Sequence, residues 1–259
     1  MSGSQLCDNC FKGVTHEGTP TGKWENIGGV DCYVALPGDA SNSKLAVLFL
    51  PDAFGIQLIN NQLLISDFAA NGFKTVGVDY FHGDPVPADA VKPDYSGTWN
   101  RADWFAKHIN DLQPMRETIS KVIDSLKAEG VEVFGATGYC IGGRFTFDLA
   151  FENTIKVAAT SHPSRLEVPA DLEKYLSASK APLLINSCTT DHQFPLEAQA
   201  QADHILGNGK FAPGYKREYF EGCEHGFAVR GDMSKPEVKA GKEGSFMSTV
   251  EWFKQYLKV

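Results

Sequence analysis

The sequence lacks any long apolar run, and its basic residues are outnumbered by acidic ones. No stretch approaches the ~20 apolar residues of a transmembrane helix, so we expect no membrane span. The chain of 259 residues carries 24 Lys and Arg against 32 Asp and Glu, a net charge of −8. Nucleic acids and anionic membranes both attract basic surfaces. The sequence therefore predicts neither a nucleic-acid partner nor a membrane partner.

Cysteine is scarce as well, with six residues in the chain. Small secreted proteins that depend on disulfides contain more than ~8% cysteine. The N-terminal sequence shows neither the basic nor the apolar segment of a secretion signal. We therefore expect a cytoplasmic protein with reduced thiols. The cysteines are Cys7, Cys10, Cys32, Cys140, Cys188 and Cys223.

The composition is otherwise that of an ordinary globular protein, with 42% hydrophobic and 22% charged residues. Short apolar runs typical of buried strands alternate with segments of helical spacing. Such alternation predicts an α/β fold, a mostly parallel twisted sheet with helices on both faces. No linker or repeat divides the chain, so we expect one domain over residues 1–259.

The predicted elements follow one another along most of the chain. A β-hairpin over 21–37 turns at two adjacent glycines. The predicted strands are 45–50, 75–79, 131–137, 156–160, 182–186 and 216–220. The predicted helices are 56–70, one or two within 101–129, 142–151, 170–178, 195–206 and 245–257. Residues 80–100 form a predicted long loop, and long loops are often functional.

The most specific local signal is Thr-Gly-Tyr-Cys-Ile-Gly-Gly at 137–143. A strand precedes it and a helix follows, the context of a G-x-S-x-G nucleophile elbow, with Cys140 in place of serine. Gly138 and Gly142 avoid the Cβ clashes of such a strained turn. The helix N-terminus favours a thiolate. Cys140 is therefore the predicted nucleophile; the alternative is an inert buried cysteine.

The acid and the base of such an elbow come later in the chain, acid first. Asp191 follows the predicted strand 182–186, and His225 follows the last predicted strand. We predict that His225 is the base and that Asp191 orients its ring and stabilises its cation. The alternatives are a turn or helix-capping aspartate and an exposed loop histidine.

An oxyanion hole requires two backbone N–H groups. The amide after the nucleophile, that of Ile141, is one candidate. The second is expected in the loop after strand 45–50, where the sequence is Pro-Asp-Ala-Phe-Gly. We assign it to Ala53.

With these motifs the chain resembles the dienelactone hydrolases, and their fungal members most closely. The resemblance extends from about residue 22 to residue 259, and Gly-Tyr-Cys-Ile-Gly-Gly is its most specific motif. It implies an α/β-hydrolase fold, a Cys-Asp-His triad and hydrolysis of an enol-lactone or similar activated ester, with no cofactor and no metal. It also implies an acid on the oxyanion loop that holds the resting thiol; Asp52 occupies that position, where the family has glutamate.

The resemblance further implies arginines that bind a substrate carboxylate, one of them shortly after the catalytic histidine. Arg230 lies five residues after His225. Other candidates for the substrate pocket are His162, Tyr80, Arg101, Arg144, Trp99 and Trp104. We expect a small-molecule lactone or ester as the substrate, and a monomer or homodimer.

Two alternative functions remain. A tailoring hydrolase with the same fold and triad would act on a polyketide-derived lactone or thioester. A non-catalytic thiol redox or metal-binding protein is supported only by Cys7 and Cys10, a C-x-x-C pair with His16 nearby. A structural zinc site needs a second ligand pair, and none has suitable spacing.

Overall fold

The computed structural model describes residues 16–38, 44–90 and 95–257, so Cys7 and Cys10 lie outside the described residues. Its centre is a sheet of eight strands: β1 (Lys23–Ile27), β2 (Val30–Ala35), β3 (Leu45–Leu50), β4 (Thr75–Val78), β5 (Val133–Tyr139), β6 (Val157–Ser161), β7 (Leu183–Thr190) and β8 (Tyr215–Glu224). Their order is β1-β2-β4-β3-β5-β6-β7-β8. The strands from β3 to β8 are parallel, and the β1–β2 hairpin joins antiparallel to β4. The predicted α/β architecture is thus confirmed.

The helices lie on both faces of this sheet. They are α1 (Ile59–Ala70), α2 (Arg101–His108), α3 (Gln113–Ala128), α4 (Ile141–Phe151), α5 (Ala170–Ala178), α6 (Leu196–Leu206), α7 (Phe227–Arg230) and α8 (Pro236–Leu257). On one face α1 packs on α8, with the rings of Phe68 and Phe246 4.9 Å apart. On the other face α3 is joined to α4 by an ion pair between Arg116 and Asp148. No helix within the described ranges is long and apolar enough to cross a membrane.

The central strands form the apolar core because their residues are buried on both faces of the sheet. Every residue of β3, Leu45–Leu50, is buried, as a central parallel strand requires. The hairpin turn is made by Gly28 and Gly29, with φ of 62° and 83°. Positive φ at both central residues is the geometry of a tight type I′ turn, which explains the glycine pair.

Several element boundaries differ from the sequence prediction. Helix α1 begins at Ile59 rather than 56, because Gly55 has a φ of 62° and the chain turns there first. Strands β7 and β8 extend beyond their predicted ends and stay paired through a bulge near Cys188. Helix α8 begins at Pro236, well before the predicted 245, and the short helix α7 was not predicted.

Candidate active site

The elbow at Cys140 is a sharp, strained turn between β5 and α4. Cys140 has a φ of 52° and a ψ of −117°, which is unusual for a residue with a side chain. A Cβ on Gly142 would collide with the Leu50 carbonyl oxygen, and one on Gly138 would collide with the Gly142 carbonyl. The two glycines are therefore required where β5, α4 and the end of β3 meet.

Asp191 and His225 are brought together by the pairing of β7 with β8. The His225 amide donates to the Thr190 carbonyl at 2.9 Å, so the two strand ends are fixed side by side. Nδ1 of His225 lies 2.9 Å from Oδ1 of Asp191. The same oxygen accepts the amides of Gln193 at 2.8 Å and Phe194 at 3.1 Å. The carboxylate is thus held by its own turn while it orients the imidazole.

Cys140 and Asp191 together determine the charge of His225. Burial lowers the pKa of this histidine, but the Asp191 carboxylate and the Cys140 sulfur outweigh it, and the pKa is raised well above its usual range. Because Nδ1 faces Asp191, Nε2 is the nitrogen available to the sulfur. Such a site favours a thiolate next to an imidazolium. All three side chains are buried.

A serine that sequence reasoning missed lies beside Cys140. Oγ of Ser164 is 3.5 Å from Sγ of Cys140, and the Ser164 amide donates to the Cys140 carbonyl at 2.9 Å. Ser164 follows β6, between β5 and β7, whose ends carry Cys140 and Asp191. That position at the carboxyl edge of the sheet was the available sequence signal; no motif marks the residue.

The two predicted oxyanion donors lie at the same edge of the sheet. Ile141 is the first residue of α4, where backbone N–H groups have no partner within the helix. Ala53 lies on the loop after β3, and Gly142 packs on the Leu50 carbonyl at the start of that loop. The Tyr80 hydroxyl donates a hydrogen bond to the Pro51 carbonyl and so also holds this loop in place.

Asp52 forms a buried ion pair with Arg230. Its Oδ2 accepts from Nε of Arg230 at 2.7 Å, and its Oδ1 accepts from the Phe54 amide at 3.2 Å and the Asn61 amide group at 3.3 Å. The Arg230 guanidinium lies 4.6 Å from the centre of the Phe54 ring. Its two terminal nitrogens are buried and have no hydrogen-bond partner within the part of the chain that the structure describes.

Lys242 of α8 is a second cation, half-buried, that the sequence did not reveal. Its Nζ donates to the carbonyls of Ala228 at 3.1 Å and Val229 at 3.3 Å. Burial lowers its pKa to about 8, although Asp67 and Asp52 oppose the shift. The lysine therefore binds the short helix α7, which carries Arg230, to α8.

His162 and Tyr80 lie close to the triad. The ring of His162 meets that of His225 edge to face, with centroids 4.9 Å apart. His162 is fully buried, and neither of its ring nitrogens has a hydrogen-bond partner among the described residues. The phenol of Tyr80 is also buried, and burial, Asp52 and Cys140 raise its pKa well above the usual range.

The other predicted pocket residues have contacts with other parts of the protein. Trp104 packs on Phe81, with 5.4 Å between ring centres, and donates to the Asp84 carbonyl at 2.8 Å. Trp99 packs on Trp104 in turn, at 6.5 Å. Arg101 lies at the exposed start of α2. Arg144 is bound by Asp148 and Asp171, two carboxylates of the protein itself.

No group of three metal-binding side chains occurs in the described ranges. His16, which the metal hypothesis pairs with the C-x-x-C motif, has its Nε2 2.8 Å from the Gly231 carbonyl oxygen. Its amide donates to the Asn60 side chain at 2.8 Å. The ring therefore contacts the segment that follows α7.

This sheet order, with a cysteine elbow after β5 and an Asp and a His after β7 and β8, defines an α/β-hydrolase. The chain belongs to the dienelactone hydrolase family, whose family model matches residues 30–257.

Named relatives cover nearly the whole chain. Hydrolase pyvD of Aspergillus violaceofuscus is 35% identical over 96% of this chain and 96% of its own. Dienlactone hydrolase 1 of Gibberella moniliformis is 34% identical over 98% of this chain and 94% of its own. Among solved structures, a putative dienelactone hydrolase from Klebsiella pneumoniae has a TM-score of 0.73 at 16% identity, over 91% of this chain and 98% of its own. These relatives support a hydrolase enzyme, and the structural likeness supports the fold.

Proposed function

We propose that the protein hydrolyses a lactone or an activated ester through a covalent acyl intermediate on Cys140. The proposal rests on His225, whose Nδ1 bonds Asp191 at 2.9 Å and whose pKa is raised by Asp191 and Cys140 together. A histidine flanked by a carboxylate and a thiol is the arrangement that activates a cysteine nucleophile. The family supplies the reaction class, hydrolysis.

The proposed reaction has two acyl-transfer steps. The Cys140 thiolate attacks the carbonyl carbon, and the amides of Ile141 and Ala53 stabilise the oxyanion. The ester C–O bond then breaks, and the His225 imidazolium donates its Nε2 proton to the leaving oxygen. Neutral His225 next takes a proton from water, whose oxygen attacks the thioester. The acid product leaves, Cys140 departs as a thiolate, and His225 is protonated again.

An enol-lactone suits this nucleophile because an enolate is a good leaving group. A thiolate expels strongly basic alkoxides poorly, so we expect activated esters to react fastest. For the substrate pocket we propose that Arg230 contacts an oxygen of the substrate through its terminal nitrogens, which have no hydrogen-bond partner among the described residues.

A neutral polyketide-derived lactone or thioester is the second candidate substrate. The observation that favours it is the ion pair of Arg230 with Asp52, which neutralises the cation that a carboxylated dienelactone would use. Kinetic measurements on matched carboxylated and neutral lactones, with one thioester, decide between the two substrate classes. A strong preference for the carboxylated lactone would contradict the second candidate.

The test of the nucleophile is Cys140→Ala, with Cys7→Ala/Cys10→Ala as the matched control. Loss of a triad nucleophile typically lowers kcat by ~10⁴–10⁶. We expect such a loss of aryl-ester turnover in Cys140→Ala and nearly wild-type turnover in the control. Mass spectrometry of the quenched wild type should find the acyl group on Cys140. Retained activity in Cys140→Ala would refute the triad assignment.

A further inference from the structure

The loop after β6 holds the nucleophile by its backbone and by its sulfur. The Ser164 amide donates to the Cys140 carbonyl at 2.9 Å, and its hydroxyl oxygen lies 3.5 Å from the Cys140 sulfur. Ser164 is fully buried, so water does not compete for this hydroxyl. The contact is therefore made inside the protein, at the reacting atom.

This loop packs closely against the elbow and is hydrogen-bonded to the strands beside it. The Cys140 amide donates to the Ser161 carbonyl at 3.3 Å, and the His162 amide donates to the Asn186 carbonyl at 2.8 Å. A Cβ on Gly143 would lie 2.8 Å from Pro163, so the loop and α4 are in close contact. The chain adopts positive φ at His162, 39°, to make this turn. The hydroxyl is thus placed before any substrate arrives.

The chemistry of Ser164 and Cys140 determines which of them donates the hydrogen bond. A serine hydroxyl has one donor hydrogen and two acceptor lone pairs, whereas a thiolate is an acceptor only. Hydrogen bonds to a charged partner are roughly twice as strong as those between neutral groups. The bond from Ser164 therefore strengthens when Cys140 loses its proton, and it weakens when the sulfur is acylated and loses its charge.

We propose that Ser164 is a positioning residue for the thiolate: its hydroxyl donates to Cys140, holds the sulfur towards His225 and stabilises the thiolate–imidazolium pair of the free enzyme. This proposal rests on the proposed function, in which Cys140 is the nucleophile. It assigns the stabilisation of the resting thiolate to the loop after β6, in addition to His225.

The experiment is a pH titration of the Cys140 thiolate in Ser164→Ala. The thiolate is followed by its ultraviolet absorbance, as the difference between each protein and its Cys140→Ala counterpart, so other cysteines cancel. We expect the midpoint to rise by about one pH unit in Ser164→Ala, since a hydrogen bond to a charged group is worth roughly tenfold or more in an equilibrium. Ser164→Thr, which retains a hydroxyl, should keep the wild-type midpoint.

Ser161→Ala is the matched control, because its hydroxyl is buried at the end of β6 but accepts from Asn186 at 3.1 Å. We expect no shift of the Cys140 midpoint in this variant. Ser164→Gly, which also removes the hydroxyl, is the second variant and should give the same shift. An unchanged midpoint in a folded Ser164→Ala or Ser164→Gly protein would overturn the proposal. The titration needs no turnover, so this result is distinct from retained activity in Cys140→Ala, which would refute the proposed function itself.

Discussion

His162 and His225 touch edge to face, yet their pKa values move in opposite directions. For His225, Asp191 and Cys140 outweigh burial and raise the pKa. For His162, burial is the main cause of a pKa well below the usual value, and the positive neighbours His225 and Arg230 lower it further. These shifts favour a neutral imidazole at His162 next to a protonated one at His225. A second charge there would oppose the imidazolium that the proposed reaction uses.

This difference predicts a pH-dependent stability that is due to His162. Between its unfolded pKa near 6.5 and its lower folded pKa, the unfolded chain binds more protons, so stability falls as pH decreases. His162→Asn removes the titration and keeps a residue that tolerates positive φ. The decline in unfolding free energy below pH ~6.5 should become shallower by up to ~1.4 kcal/mol per pH unit.

Urea unfolding of wild type and His162→Asn at several pH values from 7.5 to 5 measures this slope. His204→Asn, the same substitution at an exposed position of α6, is the matched control. Parallel wild-type and His162→Asn profiles would show that His162 does not titrate on unfolding.

At the residue scale, the sequence predicted the triad candidates because each follows a predicted strand in a fixed order. Cys140, Asp191 and His225 all occupy such positions. Ser164 and Lys242 were missed because their importance comes from tertiary contacts. The sequence alone does not distinguish a half-buried helical lysine such as Lys242 from an exposed one, because the difference comes from the packing of α8 on α7.

Helix α8 illustrates how tertiary packing can override a local signal at the scale of an element. Its first half contains Gly241 and Gly244, residues of low helix propensity, and the predicted start at 245 lies just after them. In the structure Gly241 lies on the sulfur of Cys223, and Gly244 lies on the ring of Phe220. The two glycines let α8 approach β8 closely and do not form a turn. Helix propensity alone does not distinguish these two roles of glycine.

Gly241→Ala should therefore destabilise the protein, even though alanine is the better helix former by about 1 kcal/mol. The added methyl collides with the buried Cys223 sulfur, and overpacking of this kind costs ~1–3 kcal/mol. Removing the sulfur in Cys223→Ala makes room for the methyl. The double variant Gly241→Ala/Cys223→Ala should then be more stable than the sum of the single effects predicts.

A double-mutant cycle by urea unfolding measures this coupling, and we expect at least ~1 kcal/mol of favourable interaction. Gly38→Ala is the control: among the described residues a Cβ there meets nothing within 4 Å, and the change should be nearly neutral. Additive effects of Gly241→Ala and Cys223→Ala would contradict the packing explanation for the glycine.

At the scale of the whole molecule, the sequence predicted the sheet, because apolar strand runs alternating with helices admit few other arrangements. It did not predict how charge is distributed around the site. The chain carries a net −8, and the cations near the triad are matched by carboxylates: Arg230 by Asp52, and Lys242 by Asp67 and Asp52. These two cations therefore add no net positive charge against the overall negative field.

This charge balance predicts how salt affects catalysis. Raising ionic strength from 0.01 M to 0.15 M shortens the screening length from ~30 Å to ~8 Å, which weakens the repulsion between the protein and an anionic substrate. For a carboxylated aryl ester we expect kcat/KM to rise by about two- to threefold over this range. A neutral ester of the same size, measured in the same buffers, should show no change. A decrease of kcat/KM for the anionic ester would mean instead that the Arg230 cation, despite its pairing with Asp52, dominates the field at the entrance to the site.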